Sequence, residues 1–482
     1  MLIRTYADIE KLQGKDALSE AERLLLSNSR SGTLTILGDG SRPDGPSVER
    51  SIRAGILRYL VLGGCESHRV HERGVRLGGG WIWGELDLRY AQAASALNLT
   101  QCGFSSPIDA RQAHFKFLQL NGSRLPGINM ECVSIIGSAM LNDIECNGTI
   151  SFSGASIGSQ FCCIGAFIDG GGAVALNLQG AVVGDNLILD RSQIFGGVTV
   201  AGSRIAGQLS CKQTSMSGGR NISLNAQQAQ VRAGVLFVGL VSVGEVSLSS
   251  AEIGGNLQLH GASINSSTRA LDVEGASIAG AVFFNNASFG SLVSLSATRI
   301  KESCSFDGAI LSPVSGPALN AQGLVVEGEL YWRKIAKVGG RVELTSARLR
   351  QIVDDKESWD LVRDTSFVGA TYDAIIGPLD VQFRMPWLRK VSRLNGQFHP
   401  PTLPATRQIL PRNRPSPRGP GNLNREGKGT AQGSEVRHFR HALGFGRQRC
   451  CRLRLQALAL SPLARRYGCR HDGHGSTHLE RR

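Results

Sequence analysis

Bulky apolar residues recur along the middle of this chain in alternating pairs, and the pairs return every 11 residues. Leu176-Asn177-Leu178 is followed by Leu187-Ile188-Leu189, Val198-Thr199-Val200 and Leu209-Ser210-Cys211. Sets opening at Leu224, Leu271 and Leu319 repeat the series, and Ile128 opens one upstream. The openings from Ile128 through Leu319 are spaced 48, 48, 47 and 48 residues, so four rungs form a super-repeat whose fourth rung carries extra residues. Alternation puts every second side chain inward, as a short strand requires, whereas an amphipathic helix would need a spacing of three to four. Internal periodicity of this kind identifies a repeat architecture before any other reading applies.

Each rung reads roughly bulky-x-bulky-x-x-small-x-bulky-x-Gly, as in Leu271-Asp272-Val273 with Ala276-Ser277-Ile278 and Gly280. The Ala suits a tight corner, and the Gly is expected to supply the backbone angles of a sharp turn. The predicted fold is all-β, a right-handed parallel β-solenoid with 11-residue rungs and about 22 residues per coil. Its clearest stretch runs from Leu86 to Val353. With two rungs per coil, the extra residues near Ser217, Ser266 and Val314 emerge every second coil on one side. About twelve coils at the inter-strand spacing of ~4.8 Å give a rod of roughly 55–60 Å.

Outside the repeat the pattern changes. Residues 1–63 carry helix formers over Ala7 to Ser27 and Val48 to Leu62, with a loop from Gly32 to Pro46, and read as a helical N-terminal cap. The solenoid is assigned to residues 64–353. Residues 354–400 lose the 11-residue step, gain Trp359, Tyr372, Phe383 and Trp387, and read as a C-terminal cap. Residues 401–482 read as a disordered basic tail.

The tail decides how the net charge of +14 is understood. From His399 to Arg482 there are 17 basic and 4 acidic residues, which leaves 36 and 35 of the totals of 53 and 39 for the body. A near-neutral body removes the electrostatic case for nucleic-acid binding. Eleven cysteines, with adjacent pairs at Cys162-Cys163 and Cys450-Cys451 and no CxxC spacing, do not resemble a disulfide framework. No signal peptide or membrane-length apolar run is evident, so a reducing cytoplasm is the expected location.

Candidate chemistry is sparse. Gly78-Gly79-Gly80 and Gly170-Gly171-Gly172 lack the strand-loop-helix spacing of phosphate loops and read as turns. Cys65, His68 and His71 lie close in sequence but show no fourth metal ligand. Cys146, Cys163 and Cys211 fall on or beside bulky rung positions and read as core thiols. Asp87, Asp109, Asp143, Asp185 and Asp272 are spread over different rungs, so a carbohydrate-active carboxylate pair would need neighbouring coils to assemble it. No catalytic, cofactor-binding or metal-ligating residue is assigned, and no cofactor is expected.

The segment Arg53-Ala54-Gly55-Ile56-Leu57-Arg58-Tyr59-Leu60-Val61-Leu62-Gly63, then Gly74-Val75-Arg76-Leu77 and Gly84-Glu85-Leu86-Asp87-Leu88, resembles bacterial repeat proteins labelled membrane-associated oxidoreductases. Ala251-Glu252-Ile253-Gly254-Gly255-Asn256-Leu257 and Ala318-Leu319-Asn320-Ala321 share the resemblance, which covers about residues 20–400. It implies a membrane-associated portion after the solenoid, at the inner face of the membrane, and supplies no catalytic motif. The chain departs from that pattern after Pro400, where Arg and Pro become abundant. Synonymous codons for residues 401–432 can be chosen so that the next reading frame spells an amphipathic helical pair like that of the family, so the tail reads as out-of-frame translation. The function expected from the whole is a non-enzymatic scaffold or protein-interaction solenoid with an unidentified protein partner. The competing expectation is an enzyme, either redox or carbohydrate-directed.

Overall fold

A computed structural model describes residues 3–398 apart from 15, 16, 392, 395 and 396. The tail assigned to 401–482 lies outside the described residues. The chain winds into a parallel β-solenoid of about 14 turns. Leu187 pairs with Leu209, 22 residues on, while Leu209 pairs with Val235, 26 on, and the two coil lengths alternate. Two rungs therefore make one coil, and the 48-residue super-repeat is one short coil plus one long coil.

A coil has four faces in chain order. In one coil, Val182–Val183 forms face I, Leu187–Ile188 face II, and the strand Gln193–Thr199 supplies face III at its start and face IV at its end. Faces I and II belong to one sheet and faces III and IV to the other. Most strands place alternate residues in the core. Ile157, Val183, Ile205, Val231 and Ile253 stack inward on face I, each at 2% exposure or less. Stacking identical faces buries a continuous core that no single coil could close alone.

The coil count exceeds the expected twelve because the ladder extends past the regular sequence. Thr35–Ile36 pairs with Leu77–Gly78, and Ser51–Arg53 pairs with Trp81–Trp83, so both strands come from the segment read as a helical cap. Three helices accompany them: α1 (Tyr6–Glu10), α2 (Glu20–Ser31) and α3 (Ala54–Val61). Ser19 and Glu22 form a capping box on α2, and Glu22 also receives the Arg53 guanidinium, which ties α2 to the start of α3. Leu25 and Leu26 of α2 and Ile56, Leu57 and Leu60 of α3 are buried in the common core.

At the other end Arg348–Asp354 pairs with Thr371–Ile376, beyond the point where the 11-residue step fades. Between them lies α4 (Lys356–Asp360), and α5 (Val381–Val391) follows. A line of core rings leads to this end. Centroids are 4.7 Å apart for Phe284–Phe306, 5.4 Å for Phe306–Trp332, 5.3 Å for Trp332–Trp359 and 5.6 Å for Trp359–Trp387. Trp387 thus brings α5 onto the end of the core.

The turn chemistry meets expectation only in part. Gly196 (φ 123°) and Gly244 (φ 127°) close their rungs with positive φ, whereas Gly207 and Gly280 do not. A Cβ at Gly280 would lie 2.7 Å from the backbone carbon of Gly255, and one at Gly207 2.8 Å from that of Asp185. These glycines permit the backbones of adjacent coils to approach closely. The left-handed residue stands elsewhere, just before the inward residue that opens the next face. Gly261 (φ 64°) fills that place in one coil, and Asp143, Gln213 and Asn286 (φ 53–55°) fill it in others.

Candidate functional site

The extra residues of the long coils do align. They open at the corner between faces III and IV as loops at 170–173, 218–222, 266–268 and 313–316. Val314 at the tip of the last is fully exposed. Gly170-Gly171-Gly172 forms the first loop, within the strand Phe167–Asn177, and so serves as a turn between strand segments. Gly78-Gly79-Gly80 likewise turns between Val75–Gly78 and Trp81–Trp83.

Beside the loops, face III presents outward apolar side chains. Phe167 is 38% exposed, Phe195 45%, Val241 48% and Val243 54%. The rings of Phe167 and Phe195 lie 5.5 Å apart. The ladder places Phe195 beside Ser217 and Ser217 beside Val243. One coil here inverts the rule that builds the fold. The inward column of face III runs Ile168, Ile194, Met216, Ser242, Ile264, with valines on the outside of the serine coil. Ser242 is 1% exposed. Its hydroxyl bonds Ser223 Oγ and the Gly244 carbonyl, so its polar group is satisfied without water. Local violations of a fold's own pattern concentrate at functional sites. Sequence reasoning missed these residues because it followed the inward positions. The available signal was Val241-Ser242-Val243, where the apolar residues occupy outward places.

The faces differ in chemistry. Face IV is a polar ladder: Asn129, Ser151, Asn177, Thr199, Asn225 and Ser247 follow one another outward. Several Asn side chains accept the backbone N–H two residues on, as Asn177 does from Gln179 and Asn225 from Gln227. On face II the outward column alternates half-buried apolar residues (Ile188, Leu236, Phe283, Tyr331) with the polar Ser210, Gln258 and Ser305.

Open depressions are shallow. One of about 610 Å³ on face I is lined by Arg204, Arg232, Glu252 and Ser277. Another of about 560 Å³ at the cap is lined by Trp83, Glu85, Asp87, Arg53 and Arg58.

Of the scattered aspartates, adjacent coils bring together Asp87 and Asp109. Each is clasped by an arginine two residues on, Arg89 and Arg111. Arg89 holds Asp87 down at about 2. Asp143 occupies a left-handed turn. Asp185 accepts from Gln160 Nε2 at 3.1 Å. Asp272 joins a cluster that the sequence did not suggest. Arg269, beside the third corner loop, contacts Glu245, Asp272 and Glu274 at 3.1, 3.1 and 4.0 Å. Glu245 is 9% exposed, and burial pushes its carboxyl above the ordinary value against the pull of Arg269. The cluster depends on the 25-residue register that sets Ser247 beside Asp272, which a fixed 22-residue coil would not give.

Cys65, His68 and His71 are not brought to one point. His68 is buried, stacks on Tyr6 at 4.5 Å and contacts the Leu26 carbonyl through Nε2. His71 Nδ1 accepts from the Arg73 amide. Cys65 is partly exposed, with Ser67 Oγ at 3.2 Å and Tyr59 Oη at 3.3 Å, and these hydroxyls draw its thiol down to about 6. Among the described residues, no group of three or more His, Cys, Asp or Glu side chains is placed to hold a metal ion. Cys146, Cys163 and Cys211 lie in the core, and burial pushes the Cys146 thiol up to about 12.

No described helix is long and apolar enough to cross a membrane. No family model matches the chain, and no curated protein matches it. The fold therefore defines the class: a parallel β-solenoid whose long coils open loops at one corner.

Proposed function

We propose that the chain is a non-enzymatic interaction scaffold that seats a protein partner on face III beneath the corner loops. The observation that carries this reading is the inverted coil, where Val241 and Val243 face solvent while Ser242 occupies the core. An inverted triplet costs core burial, about 1.5–3 kcal/mol for a side chain of valine size. With Phe195 two coils away, the outward valines form an apolar surface suited to being covered by a partner. The test is affinity capture with the intact chain, comparing wild type with Phe195→Asp and Val243→Asp. Proteins retained by wild type and lost with both variants, at unchanged melting temperature, support the reading. Equal retention by all three contradicts it.

The cysteine usage favours a cytoplasmic location, and the family resemblance adds membrane association, at the inner face, in intact relatives, with an oxidoreductase label that flavin or haem absorbance in purified protein would revive. A carbohydrate-directed role has one observation in its favour: Trp83, 48% exposed, shares its depression with Glu85 and Asp87. A glycan that quenches Trp83 fluorescence in wild type but not in Glu85→Gln would bring that reading forward.

A further inference from the structure

We infer that face II is a self-association surface on which a second copy of this chain packs antiparallel, about a two-fold axis through Gln258. The inference goes beyond the partner-binding role assigned to face III. Two independent features of face II select the same axis.

The first is the outward apolar stripe. Parallel pairing stacks Ile188, Ser210, Leu236, Gln258, Phe283, Ser305 and Tyr331 in successive coils. Counted from Gln258, bulky apolar residues stand one and three coils away on both sides, and serines stand two away on both sides. Four coils out stand the buried Cys162 and the half-buried Val353, and five coils out Met140 and Ile376. The stripe is therefore palindromic in size and polarity. An antiparallel copy centred on Gln258 lays Leu236 over Phe283 and Ile188 over Tyr331, with serine over serine between them. Closed homodimers use such self-complementary patches.

The second feature is the charge at the rim, two residues along each strand. Asp190 and Lys212 lie three and two coils before Gln258, and Lys212 Nζ is 3.4 Å from Asp190. Asp307 and Arg333 lie two and three coils after it, with their ion pair at 3.1 Å. The order of signs outward from the axis is plus then minus on one side, and minus then plus on the other. The same two-fold sets Asp190 against Arg333 of the second copy and Lys212 against Asp307. Arg333 already lies over the Tyr331 ring at 4.8 Å, which holds it on this face. His260, stacked on Phe283 at 5.2 Å, meets its own copy at the axis.

The area suffices for a specific dimer. Ten steps of ~4.8 Å by a face about 13 Å wide give roughly 600 Å² per copy, or about 1,200 Å² in all, above the ~1,000 Å² a biological interface needs. A lipid surface is disfavoured because the rim charges alternate in sign rather than being uniformly basic.

The test uses the full chain. Sedimentation over a range of concentrations is expected to show reversible dimerisation. Phe283→Lys is expected to raise the dimer dissociation constant at least tenfold without lowering the melting temperature. Because that variant could also disturb a coil, single cysteines provide a second readout. Gln258→Cys is expected to oxidise to a self-linked dimer. A mixture of Ile188→Cys and Tyr331→Cys chains is expected to link one to the other, and Gln322→Cys, on the polar side of the rod, is expected to remain as unlinked as wild type. A monomer at every concentration overturns the inference. Self-linking of Ile188→Cys overturns it as well, since only a parallel pairing brings that position onto itself.

Discussion

Asp354 offers the sharpest handle on how the rod is closed. Its side chain is fully buried, accepts two bonds from Arg384 at 2.7 and 2.6 Å, and accepts a third from the Trp359 indole at 2.8 Å. It therefore joins the last long strand, α4 and α5. Asp354→Ala leaves the Arg384 guanidinium with the Pro378 carbonyl at 2.8 Å and the Trp387 and Phe383 rings as its remaining contacts. Breaking a buried pair by removing one partner costs about 3–5 kcal/mol. In a solenoid each coil touches only its neighbours, so the loss stays local rather than spreading through the rod. The assay is native-state hydrogen exchange. The Phe367 amide, bonded to the Val391 carbonyl, and the Thr371 amide, bonded to Ala347, report the closing coil. Their exchange is expected to accelerate by about 10²–10³-fold or more, while the Leu187 and Leu209 amides in the middle of the rod stay unchanged. Uniform acceleration along the chain, or less than about tenfold at Phe367, would refute the reasoning.

Three further outcomes are expected. Cys65, held down at about 6 by the hydroxyls of Ser67 and Tyr59, should be alkylated with a rate that levels off above pH 6, and an inflection near the free-thiol value of about 8.5 would contradict that environment. Burial raises Glu245 above its ordinary 4.5, so the folded chain holds that proton more tightly than the unfolded chain. Ionisation of Glu245 then costs stability as pH rises above 4.5 and costs nothing well below it. Glu245→Gln should melt above wild type at pH 7 and level with it near pH 4, and a lower melting point at pH 7 would show that the Arg269 pair outweighs desolvation. Sequencing the gene across His399-Pro400 should reveal one shift that restores a long frame resembling the family, and finding no such frame would make the Arg-rich tail genuine.

The fold was legible wherever burial repeats. Inward apolar positions recur because each coil stacks on the last, so Leu176, Leu187, Val198 and Leu209 announced both the strands and their spacing. With two rungs per coil the extra residues are expected on one side, and the loops at 170–173 and 218–222 do stand at one corner. Where burial does not repeat, the pattern is silent. Thr35–Ile36 and Ser51–Arg53 are single strands set among helices, and nothing in their local sequence marks them as part of the ladder. Gly207 and Gly280 look like turn residues in sequence because backbone crowding between coils leaves no trace in one chain's sequence. The candidate site was less legible still. Phe195, Val241 and Val243 occupy outward places whose identity the core does not constrain, and the palindrome about Gln258 emerges only once the register is known.

The central claim, that face III and its corner loops are where this scaffold meets a protein partner, is tested most directly by a hydrogen-exchange footprint of the captured complex. The account predicts protection confined to the face III and corner-loop portions of four strands, residues 167–173, 193–195, 215–222 and 241–243. Protection over the polar ladder of face IV near Asn320, or over the cap around Trp83, with these four strands unchanged, would contradict it.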